Sequence, residues 1–181
     1  MKKRNDWLGV ATIFVVGMAV MGACSSTPPP EPVLPDEQSA VVYFLGGQGG
    51  SVWDGETPIG EFDTSKFGVV MQNMPWKTTP GEHFFIVNRF NWVTMRANLQ
   101  ANKTYYVQIV NVPNPVPFAR DMVALRVLDP KDGPEFLKTW NETAVFTDEW
   151  RSKFAQGKLL QEVKENLQDA KADKSMEISL N

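Results

Sequence analysis

Residues 92–99 read WVTMRANL, and their alternation decides the fold class. Val93, Met95, Ala97 and Leu99 fall on one face of an extended chain, while Thr94, Arg96 and Asn98 share the other with Trp92, because successive strand side chains point to opposite sides. Five residues further on, TYYVQIVN (104–111) repeats the pattern with Tyr105, Val107 and Ile109 inward. Working outward, AVVYFL (40–45) is a compact β-branched and aromatic run, followed by GGQGG, a stretch only a loop can use. VWDGETPIGEF (52–62) carries Asp54-Gly55, the dipeptide that supplies a tight hairpin turn with positive φ. FGVVMQNM (67–74) and EHFFIVNR (82–89) follow, and VALRVLD (123–129) closes the set after the proline-rich NVPNPVPF. Short strands at this spacing predict a mainly β body over residues 39–129, folded as an antiparallel β-sandwich of Ig-like type.

After Pro134 the period changes. EFLKTW and then DEWRSKFAQGKLLQEVKENLQDAKADK place Phe154, Leu160, Val163, Leu167 and Ala170 near helical spacing. This predicts a C-terminal helical extension over 130–174, broken near Gly157, and a tail over 175–181. The face formed by Leu160, Val163 and Leu167 needs cover. Either it packs back on its own domain, the favoured reading, or it is a partner-binding face.

The amino-terminal end gives an address. MKKRNDW (1–7) is cationic, and LGVATIFVVGMAVM (8–21) is an uncharged, mostly apolar run of fourteen residues. Such a run spans about 21 Å as a helix, short of the roughly 30 Å of a bilayer core, so residues 1–23 read as a cleaved signal peptide rather than a permanent span. Gly22 and Ala23 stand directly before Cys24, the chain's only cysteine. The pattern resembles the lipobox of bacterial lipoproteins, with Met21 where leucine is usual, and it implies a covalent lipid on Cys24. The alternative is an ordinary secretory cleavage near Ala23 that leaves a free thiol, a poor choice in an oxidising compartment. Residues 24–38 would then be an acylated cysteine and a proline-rich tether, SSTPPPEPVLPDEQ reaching about 40 Å if extended throughout. Ser25 and Ser26 resemble the residues that follow the lipid in outer-membrane lipoproteins.

Cleavage before Cys24 leaves 158 residues, one domain with a tail, in which 15 cations face 20 acids for a net charge of −5. That balance gives no electrostatic reason to bind nucleic acid. One cysteine also excludes an internal disulfide.

Little in the chain suggests chemistry. His83 is the only histidine, and its neighbour Glu82 points to the opposite face of the same strand, so it cannot orient the ring. No Cys-His pair or histidine-rich metal site can be assembled. Ser51 lacks the G-x-S-x-G spacing of a nucleophile elbow. GGQGG has no following Gly-Lys-Ser/Thr, and Asp129 to Gly133 reads as a turn rather than a calcium loop. Asp54, Asp63 and Glu82 are the carboxylates a hydrolase would need, and sequence cannot bring them together. Trp53, Trp76 and Trp92 are the candidate binding aromatics, beside Trp140 and Trp150, because exposed indoles stack on sugars or anchor interfaces.

VVYFL, the VWDGETPIGEF hairpin, PGEHFFIV, the LQANKTYYVQI hairpin and the lipobox stand in one order. Together they resemble the DUF2846 family of small bacterial lipoproteins of unknown function and, more loosely, PEGA-like β-sandwich modules. The resemblance covers roughly residues 38–129, and it departs in the Trp76-Lys77-Thr78-Thr79 extension and the charged C-terminal tail. It implies a lipid-anchored β-sandwich with no established catalytic activity, and no cofactor is expected beyond the covalent lipid on Cys24. The expected protein is a binding or scaffolding module of the envelope, held at the outer membrane facing the periplasm, with an envelope protein or a glycan such as peptidoglycan as partner.

Overall fold

The computed structural model of the protein describes residues 31–47, 49–62, 71–140, 142–143, 151–152 and 154–173. The signal segment, Cys24 and the tether up to residue 30, Asp63, Trp150 and the tail beyond 173 lie outside the described residues. What is described is mainly β, with two sheets and a C-terminal helix.

The first sheet has the order β8 (Met122–Leu128), β7 (Thr104–Val112), β1 (Ala40–Gly46), β4 (Gln72–Thr78) and β9 (Glu142–Thr143). The second has the order β3 (Thr57–Glu61), β2 (Ser51–Asp54), β5 (Gly81–Asn88) and β6 (Trp92–Leu99). The alternation read in β6 is realised: Met95, Ala97 and Leu99 join a core shared by both sheets, in which Val42, Phe44, Tyr105, Val107 and Ile109 come from the first sheet and Val52, Phe85 and Val87 from the second. Phe44 and Phe85 meet edge to face across it at 5.2 Å, a geometry worth about 0.5–1.5 kcal/mol beyond burial alone. The Asp-Gly dipeptide makes the predicted turn between β2 and β3, with Gly55 at φ 57°.

The outer faces are covered too. Over the first sheet, Val41, Tyr43, Leu45, Tyr106 and Leu128 pack with Trp140 and with Phe136 and Leu137 of α1 (Gly133–Thr139). Gly133 sits where a Cβ would come within 2.0 Å of the Tyr106 ring, so only glycine allows α1 to lie this close. Over the second sheet, α2 (Lys158–Ala172) buries Val163, Leu167 and Ala170 against Trp53, Phe84 and Ile86, with Trp92, Leu159 and Leu160 at the margin. The helix face left open between domain and partner is therefore taken by the domain itself.

Four expectations need correction. The sheets are not wholly antiparallel, because β1 pairs with β7, and β4 with β9, in parallel. The chain between β1 and β7 builds the entire second sheet, and a long crossover is what a parallel pair requires. The strand expected at 67–74 runs instead from Gln72 to Thr78, through the supposed extension. Among the described residues β9 pairs only with Gln72 and Asn73, so Pro75 lies beyond that short ladder. The helical extension contains a strand, β9. Finally, the body starts before Ser39: Val33 packs beside Phe136 and its carbonyl accepts the Tyr43 hydroxyl at 3.1 Å, while Asp36 pairs with Lys77 at 2.7 Å.

Candidate functional site

Asp54 closes β2 and opens the hairpin turn, and the Gly55 N–H donates to the Phe84 carbonyl at 2.8 Å, pinning that turn to β5. Asp54 lies opposite Phe85 in the β2–β5 register, on the side that faces the first sheet. There it meets His83, two residues before Phe85 and therefore on the same face. His83 Nδ1 is 2.9 Å from each Asp54 carboxylate oxygen, and the ring stacks on Phe85 at 5.7 Å. From the opposite sheet, Trp76 of β4 donates its indole N–H to Asp54 Oδ2 at 2.9 Å, and the Thr78 hydroxyl donates to the same oxygen at 3.4 Å. The other ring nitrogen, Nε2, is 2.9 Å from the carbonyl of Thr79, in the crossover from one sheet to the other.

This geometry favours the doubly protonated His83 ring, because a carboxylate and a carbonyl only accept and each faces one ring nitrogen. The Asp54 hydrogen bond raises its pKa above the ordinary value, the Asp54 charge and the Thr79 carbonyl add to this, and burial opposes it. The pair is largely shielded, with side chains 11% and 12% exposed. An imidazolium with both N–H groups committed has no lone pair to take a proton. The cluster acts as a clasp across the end of the inter-sheet core, joining β2, β5 and β4 through one carboxylate.

The other anticipated residues are scattered. Glu82 lies on the opposite face, as expected, where Arg96 Nε donates to it at 2.8 Å. Asp54 and Glu82 thus serve different partners on different faces and form no acid–base pair. Ser51 is buried and its hydroxyl accepts the Trp53 indole N–H at 3.0 Å. Trp53 is 0% exposed, so it is not a free binding aromatic. This corrects the assignment of Trp53, whose indole serves as the bed for α2, while Trp92 stays half-buried at the margin of that helix. Trp76 is half-buried, tied to Asp54 and approached by the Arg151 guanidinium at 5.7 Å. Leu160 lies half-buried beside Val163 and Leu167 under α2. Among the described residues, no group of three or more His, Cys, Asp or Glu side chains is placed to hold a metal ion, and no helix is long and apolar enough to cross a membrane.

Sequence reading missed Asp54 as the partner of His83. The only local signal was the turn it begins, and a turn aspartate ordinarily explains itself through its own backbone. No protein family, curated protein or solved structure matches this chain.

Proposed function

We propose that this protein is a lipid-anchored β-sandwich of the bacterial envelope, similar in kind to DUF2846 lipoproteins and PEGA-like modules, that binds or scaffolds an envelope component without catalysis. The observation that carries the non-catalytic half is the commitment of both His83 nitrogens to fixed acceptors, which leaves the chain's only imidazole without a free base. The address rests on Cys24 behind its apolar run and small residues. A thioether-linked diacylglycerol and a further acyl chain would hold the body at the outer membrane, facing the periplasm, since each buried methylene contributes about 0.8 kcal/mol and two or more chains make attachment stable. The tryptophans give the glycan-binding reading little support beyond Trp76, because Trp53 lies beneath α2 and Trp92 packs half-buried at its margin.

Cells fed labelled palmitate should incorporate it into the wild-type protein, and the Cys24→Ser variant should show none and accumulate as uncleaved precursor or soluble chain. Equal labelling of the two would remove the anchor.

A further inference from the structure

Three of the exposed large apolar side chains among the described residues share one end of the molecule. Between β7 and β8, Phe118 is 109% exposed and Val116 61%, and Phe90 in the β5–β6 turn is 48% exposed. The two segments belong to one end: Asn91 donates to the Val123 carbonyl at 3.2 Å and accepts the Val123 N–H at 2.6 Å, and Arg89 donates to Asn111 at 2.7 Å. The β7–β8 loop is braced rather than loose. Asn114 accepts the Val116 N–H at 2.9 Å and donates to the Arg120 carbonyl at 3.1 Å, and Pro113, Pro115 and Pro117 stiffen the chain around it. Phe118 holds φ 63°, a region a bulky residue seldom occupies, with its ring in solvent. Arg120 lies beside it, and the Arg89 guanidinium covers Phe90 at 4.4 Å.

The first described residues approach the body from the direction of that end. Asp36 is held near the start of β1, by Lys77 and by the Asn102 N–H, whereas Val33 sits further along β1 at Tyr43. Residues 33–36 therefore run antiparallel to β1 and lead away from the end to which β1 and the parallel β7 point, the end that carries Phe90, Val116 and Phe118. Cys24 lies nine residues before Val33, which at full extension is at most about 30 Å.

We propose that Val116 and Phe118, with Phe90 behind them, dip into the interface of the phospholipid bilayer that carries the Cys24 lipid, so that the body stands on the membrane by this end. The inference rests on the lipid-anchor reading. A narrow loop tip with two apolar side chains and flanking arginines suits a headgroup layer, where rings bury at the acyl boundary and guanidinium groups meet phosphates. The docking of Val33 and Asp36 on the body shortens the expected tether and brings that layer within reach.

The test uses the full acylated chain in phosphatidylethanolamine and phosphatidylglycerol vesicles. The lipid occupies Cys24, so Ala119→Cys provides a single thiol for an environment-sensitive fluorophore, and Lys103→Cys in the turn at the opposite end provides the control. The label at 119 should shift to the blue and be quenched by nitroxide-bearing lipids, while the label at 103 remains accessible to aqueous iodide. Adding Phe118→Ser to Ala119→Cys should return the label to water without lowering the melting temperature. If the protein floats with the vesicles and the label at 119 is as open to iodide as that at 103, the loop proposal fails and the anchor stands. If the protein does not float and Cys24 itself takes the label, both fail. Shielding that requires added envelope proteins and shows no lipid quenching assigns the loop to a protein partner and overturns the proposal.

Discussion

Val163→Asp should lower the melting temperature of the mature chain by about 6–20 °C. Val163 is 0% exposed, and α2 presses it against Trp53, Phe84 and Ile86. Replacing it removes about 1.5–3 kcal/mol of apolar burial, and a carboxylate placed there must be desolvated under the helix, so the total loss is about 3–5 kcal/mol. Gln168→Asp on the exposed side of the same helix provides the control and should change stability by no more than about 0.5 kcal/mol. Differential scanning calorimetry of the three proteins decides the matter. Equal melting temperatures for Val163→Asp and wild type would show that α2 is not part of the fold and that its apolar face serves a partner.

His83 makes stability depend on pH in the opposite sense to an ordinary carboxylate pair. Its folded pKa is raised above the unfolded value of 6.5, chiefly by the Asp54 hydrogen bond. Its contribution is therefore fully present below pH 6.5 and is lost as pH rises through the raised folded value. On the acid side, Asp36, held at about 2 by Lys77, Ser39 and the Gln38 N–H, contributes above the ordinary carboxylate value of 3.8 and loses that contribution as pH falls through about 2. These two groups put the most favourable range between about pH 4 and 6.5. Urea denaturation should give a midpoint that falls from pH 6 towards pH 9. In His83→Gln, which cannot carry the charge, the decline over that range should disappear. His83→Ala removes the donor to the shielded Asp54 carboxylate and should cost about 1–3 kcal/mol at pH 6. A wild-type midpoint that is flat or rising between pH 6 and 9 would contradict the imidazolium assignment.

Much of the architecture was legible because it is local. The alternation of Met95, Ala97 and Leu99, the Asp54-Gly55 turn and the spacing of Val163 and Leu167 are all encoded within a few residues of where they act. Burial on one face leaves a periodic signature. Pairing order leaves none, and the parallel β1–β7 ladder joins Val41 to Thr104 across the whole second sheet. The shift of β4 to Gln72–Thr78 was hidden for a related reason: Lys77 and Pro75 look unlike strand residues until the pairing with β1 and the ion pair with Asp36 are known. The clasp was half visible. Alternation correctly separated His83 from Glu82, but the partner that orients the ring comes from β2, and Trp76 from the other sheet. The tryptophans misled for the opposite reason. Composition counts large rings, and whether Trp53 meets a ligand or a helix depends on what the chain lays over it a hundred residues later.

The central claim, a lipid-anchored body without catalysis, stands or falls first on the anchor. Intact mass spectrometry of the protein extracted from the membrane fraction measures it directly. The predicted species begins at Cys24 and exceeds the mass of residues 24–181 by a thioether-linked diacylglycerol and a further acyl chain on its α-amino group. A chain that begins elsewhere, or one that begins at Cys24 with an unmodified thiol, would contradict it.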